Sequence, residues 1–207
     1  MPDHFIFDID GTLIDTELTG MGSLRRTIRE FLGVEMEQSE LFTYFGIPSA
    51  KASELLWPSD PAAFGERWEE HFQAMMNLAG PFEGIREVLE ALRNASRKMG
   101  LVTSRSRYEF GKDPHLAAWL PYFSCSVCMK DTVRHKPDPE PLLAYMEKTG
   151  ALPRSCIYLG DTPHDYACAR AAGIPFALVD WRGRGPCVSS PDHYFTRPEE
   201  ILSLLGE

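Results

Sequence analysis

Apolar residues follow two different patterns along the chain, and the pattern changes near residue 80. Residues 16–79 carry apolar side chains at helical spacing, including Leu24, Ile28 and Phe31, which predicts a block of helices. Outside this block, short apolar runs alternate with amphipathic stretches, which predicts buried strands joined by helices. The predicted strands are 5–7, 99–102, 124–128, 156–159, 175–179 and 194–195.

This alternation predicts an α/β fold with a Rossmann-like parallel sheet covered by helices on both faces. The helical block interrupts that pattern directly after the first strand. We therefore expect a core domain made of residues 1–15 and 80–207, and an inserted helical cap domain made of residues 16–79. We expect the cap to lie as a lid over the carboxyl edge of the sheet.

Two aspartates follow the first apolar run, at Asp8 and Asp10, and Gly11 comes next. Residues i and i+2 of a strand point to the same face, so both carboxylates would project together from the end of a buried strand. Gly11 would let the backbone turn away sharply at that point. Two adjacent carboxylates repel each other unless they bind a cation or share a proton, which indicates chemistry more than packing.

Other polar residues follow later strands or open later helices. Thr103 and Ser104 follow the strand at 99–102, Asp161 and Asp165 follow the strand at 156–159, and Lys136 precedes a helix. In open parallel sheets the ligand site lies beyond the carboxyl ends of the strands, so these groups should meet at one edge. Hydroxyl, backbone N–H and ammonium donors suit a phosphate, while the carboxylates suit Mg²⁺.

Each of these signals has an ordinary structural alternative. Asp8 and Asp10 fit a strand that ends in a polar turn, and Lys136 alone fits a solvated surface lysine. Thr103 alone fits a helix cap, and the two later aspartates fit a helix start favoured by the helix dipole. The shared position of all these groups at one sheet edge favours a common site over the separate explanations.

Composition and charge narrow the class of protein further. The chain has 207 residues and a net charge of −9, which argues against nucleic acid as a partner. No apolar run approaches the roughly 20 residues of a membrane span, so we expect no membrane association. The first strand begins close to Met1, which leaves no room for a signal peptide, and we expect a cytoplasmic location.

The chain contains five cysteines, and an odd number at irregular spacing indicates reduced thiols more than a disulfide framework. Cys125 and Cys128 have C-x-x-C spacing, but no second such pair exists to complete a zinc site. The segment around them alternates like a strand, which would place the two thiols on opposite faces. We expect them to serve in packing.

Four motifs resemble those of the haloacid dehalogenase superfamily of phosphohydrolases. They are Asp8-Ile-Asp10-Gly-Thr, Thr103 in Leu-Val-Thr-Ser, Lys136 in Lys-Pro-Asp-Pro, and Gly160-Asp161-Thr-Pro-His-Asp165. Their order and spacing fit over essentially the whole chain, and the helical block occupies the position of a C1-type cap. The best-matching group contains phosphoglycolate phosphatase, pyrophosphatase and β-phosphoglucomutase.

The resemblance implies a role for each matching residue. Asp8 would be the nucleophile that forms an aspartyl-phosphate, and Asp10 the general acid and then base. Asp8, the backbone carbonyl of Asp10 and Asp161 would hold Mg²⁺, supported by Asp165 from behind. Thr103, Ser104 and Lys136 would bind the phosphate of a small phosphorylated metabolite.

Several alternatives remain open at this point. A phosphomutase of the β-phosphoglucomutase type would use the same residues, and a catalytically inactive binding module is a candidate from another class. A dehalogenase fits poorly because of Asp10 and the acidic fourth motif. A signalling receiver domain fits poorly because its acceptor aspartate lies mid-chain. The sequence leaves the physiological substrate open and does not choose between a monomer and a homodimer.

Overall fold

The computed structural model describes residues 1–44, 47 and 49–206. The chain forms two compact units, one made of Met1–Ile14 with Pro81–Glu207 and the other made of Asp15–Gly80. In the part of the chain that the structure describes, no helix has the length and apolar character needed to cross a membrane.

The first unit is built on a six-stranded sheet, and two very short strands form a separate pair. In chain order the strands are β1 His4–Phe7, β2 Ile14–Asp15, β3 Gly80–Pro81, β4 Lys98–Val102, β5 Phe123–Val127, β6 Cys156–Gly160, β7 Phe176–Val179 and β8 His193–Phe195. The six-stranded sheet has the order β5-β4-β1-β6-β7-β8, and all of its neighbours are parallel. The predicted α/β fold class with a parallel sheet is therefore confirmed.

Strand β1 lies at the centre of the sheet. Phe7 pairs with Leu101 of β4 on one side and with Leu159 of β6 on the other. All four residues of β1 and all five of β6 are buried, as expected for strands covered on both faces. This register places the ends of β4, β1 and β6 side by side.

Helices of this unit cover the sheet, and one of the helices expected from sequence is divided. The helices are α5 Ile85–Asn94, α6 Arg107–Lys112, α7 Pro114–Ala117, α8 Glu140–Thr149 and α9 Pro163–Ala172. Helices α8 and α9 contribute Leu142 and Cys168 to a buried cluster that also holds Ile6 of β1. The sequence predicts a helical stretch over about 105–119, in a form that Gly111 and Pro114 leave open. The structure divides this stretch into α6 and α7, because a residue before proline avoids helical dihedrals.

The second unit is helical in its described residues. Its helices are α1 Glu17–Leu32, α2 Gln38–Leu41, α3 Ser49–Leu56 and α4 Pro61–Ala74. Leu24 and Ile28 of α1 pack with Phe64 of α4 in a buried cluster. Two polar pairs cross the same interface, from the Trp68 indole N–H to Ser23 Oγ at 3.0 Å and between Thr27 Oγ1 and His71 Nδ1 at 2.9 Å.

The five cysteines all lie in described residues and are free thiols. Cys128 is buried, and burial raises the pKa of its thiol to about 11. A thiol with a raised pKa is a poor nucleophile and a poor metal ligand. A packing role for the C-x-x-C segment stays a prediction.

Candidate active site

Three polar side chains follow three neighbouring strands at the carboxyl edge of the sheet. Asp8 follows β1, Thr103 follows β4 and Asp161 follows β6. The backbone hydrogen bonds between β1 and β6 continue one residue past the end of β1, where the Asp8 N–H donates to the Leu159 carbonyl at 2.9 Å. Sheet order and register therefore bring together residues that are far apart in sequence.

Lys136 reaches this edge from the loop before α8 and is buried among acidic groups. Its Nζ donates to Asp8 Oδ1 at 2.9 Å, to Asp165 Oδ1 at 2.7 Å and to the Tyr158 hydroxyl at 3.1 Å. Burial alone would lower the pKa of the ammonium, but Asp165 and Asp8 outweigh it and hold that pKa above its usual value. Lys136 therefore stays charged and links the residue after β1 to α9.

The pKa values of the two acidic partners of Lys136 are shifted in opposite directions. Burial raises the pKa of the Asp8 carboxyl, and the charges of Asp165 and Asp10 add to that rise against the effect of Lys136. Burial would also raise the pKa of Asp165, but Lys136 outweighs it and holds that pKa below its usual value. Asp165 is thus the more firmly ionised partner.

Asp8, Asp161 and Asp165 form a cluster that fits a hard cation. Each offers one carboxylate oxygen, and these oxygens lie within 4.8 Å of one another. Burial raises the pKa of Asp161 well above its usual value, with further repulsion from Asp165 and Asp8. Asp161 Oδ1 is buried and has no hydrogen-bond partner among the described residues. A carboxylate oxygen that accepts no hydrogen bond from the protein is available to bind a cation. Mg²⁺ prefers such oxygen ligands.

Two glycines allow the acidic side chains to approach the backbone. A Cβ at Gly11 would lie 2.1 Å from Asp161 Oδ2, and Gly11 has a φ of +79° that favours glycine. A Cβ at Gly160 would lie 2.6 Å from the Cβ of Asp165. Side chains at these two positions would push both aspartates away, so the glycines shape the cluster.

The Asp10 side chain lies in a different polar environment from Asp8. The Arg105 guanidinium binds it as a fork, with Nε 2.8 Å from Oδ2 and Nη2 2.7 Å from Oδ1. Arg105 also donates to Asp113 Oδ2 at 2.5 Å. The two aspartates of the first motif therefore have different partners, a lysine for Asp8 and an arginine for Asp10.

The remaining predicted phosphate ligands are Thr103 and Ser104. Thr103 is buried, and its hydroxyl oxygen accepts the Arg105 backbone N–H at 3.2 Å. Because the oxygen acts as acceptor in that bond, its own proton stays available to donate elsewhere. Ser104 is half-buried and directly follows Thr103.

Three residues of this site were not predicted from the sequence: Tyr158, Arg105 and Asp113. Tyr158 lies within a wholly apolar strand pattern, yet its hydroxyl is 2.8 Å from Asp165 Oδ1 and 3.1 Å from the Val102 carbonyl. Arg105 and Asp113 lie in the stretch predicted as helical over about 105–119, in which both would be ordinary polar positions. A tyrosine hydroxyl inside a buried strand was a usable signal, because a buried hydroxyl normally has a partner.

Comparison with known proteins places the chain in a family. A family model of haloacid dehalogenase-like hydrolases matches residues 5–179. Pyrophosphatase PpaX of Bacillus velezensis is 28% identical over 213 residues, covering 97% of this chain and 95% of that protein. PpaX of Halalkalibacterium halodurans is 27% identical, with 97% and 95% covered.

Solved structures agree with this match. A candidate phosphoglycolate phosphatase of Lactobacillus plantarum has a TM-score of 0.88 at 26% identity, covering 99% of this chain and 100% of that one. A β-phosphoglucomutase of Clostridium difficile shares the fold, with a TM-score of 0.83 at 17% identity and coverage of 99% and 97%. The family match spans most of the chain, and we conclude that this protein is a hydrolase of the haloacid dehalogenase-like family.

Proposed function

We propose that this protein is a Mg²⁺-dependent phosphatase that hydrolyses a small phosphorylated metabolite through an aspartyl-phosphate on Asp8. One observation carries the proposal: the Nζ of buried Lys136 lies 2.9 Å from Asp8 Oδ1, beside an Asp161 oxygen that has no hydrogen-bond partner within the described part of the chain. This arrangement combines a carboxylate nucleophile, a fixed cation and oxygen ligands at one point. Hydrolysis of a phosphate ester through an aspartyl-phosphate uses those three elements together.

In the first step a carboxylate oxygen of Asp8 attacks phosphorus, and the bond to the leaving oxygen breaks. Lys136 contributes positive charge beside Asp8 and offsets the charge that the phosphoryl group brings. Thr103, with its proton available, and Ser104 would donate hydrogen bonds to the phosphoryl oxygens. Asp10 would give a proton to the leaving oxygen, a contribution that typically accelerates a reaction about 10²–10⁴-fold.

In the second step water attacks phosphorus of the acyl phosphate, and the bond to Asp8 breaks. Asp10 would now take the proton of that water, so it ends the cycle as it began. The acyl phosphate is more reactive than an alkyl phosphate ester, which replaces one difficult step by two easier ones. Free carboxylate at Asp8 and inorganic phosphate are the products.

Mg²⁺ would be held by Asp8, the Asp10 backbone carbonyl and Asp161, where it would neutralise phosphate charge and orient the phosphoryl group. Asp165 would support this site from behind. Its Oδ1 lies near Lys136 and Tyr158, and its Oδ2 accepts the Thr162 backbone N–H at 3.1 Å. Carboxylate oxygens engaged in this way are less available to coordinate a cation directly.

The substrate proposal uses the names of the relatives. Because curated relatives carry the name pyrophosphatase PpaX, we include inorganic pyrophosphate with small phosphate monoesters as candidate substrates. In the haloacid dehalogenase superfamily that the motifs resemble, an inserted cap reads the rest of the substrate. We assign that role to the helical cap domain at 16–79.

A phosphatase screen tests the proposal. The purified protein should release inorganic phosphate from glycolyl, sugar, nucleotide or pyrophosphate substrates with Mg²⁺, and without any acceptor sugar. Asp8→Asn should abolish release while remaining folded by circular dichroism. Asp3→Asn is a matched control, because Asp3 is exposed and pairs with Arg97 at the amino end of β1, opposite the carboxyl ends that hold the site. Undiminished release by Asp8→Asn would overturn the nucleophile assignment.

A further inference from the structure

Arg105 is a buried cation whose contacts converge on Asp10. Its side chain is 6% exposed, whereas that of Asp10 is 38% exposed. Nε and Nη2 bind the two oxygens of Asp10 at 2.8 and 2.7 Å. A planar guanidinium that binds both oxygens of a carboxylate fixes its plane as well as its position, which a lysine does not do.

Asp113 holds the guanidinium from its other side. Nη1 of Arg105 donates to Asp113 Oδ2 at 2.5 Å, and the Asp113 side chain is completely buried. Asp113 Oδ1 accepts the backbone N–H groups of His115 and Leu116 at 2.8 and 3.2 Å. Asp113 is therefore anchored to the backbone of α7, and Arg105 is anchored to Asp113.

The backbone of Arg105 is tied to the sheet edge as well. Its N–H donates to Thr103 Oγ1 at 3.2 Å, and its carbonyl accepts the Met129 N–H at 2.9 Å. Asp113 already pairs with the Arg105 charge in the interior, so Asp10 is a second carboxylate partner, and its side chain is 38% exposed. The fork extends from the interior towards a carboxylate that faces solvent.

We propose that Arg105, anchored by Asp113, is the positioning residue that orients the Asp10 carboxylate for its proton transfers. The proposal rests on the proposed function, in which Asp10 serves as acid and base. A carboxylate oxygen has more than one lone pair, so accepting one N–H from the fork does not by itself prevent Asp10 from taking or giving a proton. Arg105 touches no reacting atom in this scheme and acts through Asp10.

The test uses Arg105→Gln and Arg105→Lys, with Arg107→Gln as the matched control. Arg107 lies two residues further on but is exposed, and it binds Asp131 and Ser126 instead of Asp10. Misplacing a catalytic group by about 1 Å can cost about 10²-fold, so we expect kcat of Arg105→Gln to fall roughly 10- to 100-fold. KM should change little, Arg105→Lys should recover part of kcat, and Arg107→Gln should match the wild type.

A double-mutant cycle separates positioning from a general structural role. If Arg105 acts through Asp10, its replacement should matter little once Asp10 is already lost. Adding Arg105→Gln to Asp10→Asn should then leave kcat close to that of Asp10→Asn alone. Independent, multiplying losses in kcat would overturn the proposal, as would an Arg105→Gln variant with wild-type kcat. If Arg105→Gln does not fold by circular dichroism, the same cycle is run with Arg105→Lys, where multiplying losses again overturn the proposal.

The same measurements keep this proposal distinct from the proposed function. A wild-type protein that releases no phosphate from any substrate contradicts the phosphatase assignment. It also contradicts the acid–base role of Asp10, on which the positioning role of Arg105 rests. An active wild type whose kcat is unaffected by Arg105→Gln contradicts the positioning role alone. An active wild type with non-additive losses at Arg105 and Asp10 supports both.

Discussion

Replacing Lys136 with methionine would leave two buried carboxylates without their cation. The side chains of Lys136, Asp8 and Asp165 are 5%, 7% and 0% exposed, so water does not screen the loss. Removing one partner of a buried ion pair costs about 3–5 kcal/mol of unfolding free energy. At about 2–4 °C per kcal/mol for a chain of this size, Tm should fall by roughly 6–20 °C.

The assay is thermal unfolding followed by circular dichroism, with a chelator present so that no divalent ion replaces the lost charge. Lys148→Met is the matched control. Lys148 is exposed and lies 3.7 Å from Asp131, and such surface pairs contribute about 0–1 kcal/mol. The control should therefore keep a Tm close to that of the wild type.

The loss should also depend on pH in a defined direction. Lys136 holds the pKa of Asp165 low in the wild type, so without the lysine burial would raise that pKa above its value in the unfolded chain. A carboxyl with a raised folded-state pKa costs stability as pH rises through that value. The deficit should be larger near about pH 8 than near about pH 5. A Tm equal to that of the Lys148→Met control, or a deficit that grows towards acid pH, would refute the reasoning.

Two further predictions concern the buried hydroxyl and the metal. Tyr158→Phe removes a hydroxyl 3.1 Å from Lys136 Nζ, which should lower the free energy of unfolding by about 1–3 kcal/mol and should also lower kcat. Tyr145→Phe is the control: it removes a buried hydroxyl near His4 and should lower stability without changing kcat. Chelator should remove activity and Mg²⁺ restore it. The rise in Tm with Mg²⁺ should grow between about pH 5 and pH 8, because protons compete for carboxyls whose pKa burial raises. Equal kcat values for the two tyrosine variants, or a pH-independent Mg²⁺ effect, would contradict these expectations.

Much of the core fold follows from local patterns. The apolar run before Asp8 and the runs before Thr103 and Asp161 indicate buried strands, and the rule for parallel sheets brings their ends together. The structure places β4 and β6 beside β1, so the three strand-end residues become neighbours. Strand alternation with helices was sufficient to predict the fold class.

The contacts of Arg105 and Tyr158 could not be predicted in the same way. Arg105 reaches Asp10 across 95 residues of sequence and Asp113 across eight, and the second contact requires a break before α7. In the sequence of 105–119, Gly111 and Pro114 indicate an irregular helix but do not give the position of that break. Tyr158 is compatible with a buried strand on pattern alone, and the position of Lys136 gives its hydroxyl a role beyond packing.

Trapping the covalent intermediate tests the central claim most directly. The protein is mixed with Mg²⁺ and a substrate found in the screen, quenched in acid during turnover and analysed by intact and tandem mass spectrometry. The account predicts a species heavier by one phosphoryl group, localised to Asp8, which Asp8→Asn lacks. A phosphoryl group on another residue, or full turnover with Asp8 replaced, would contradict it.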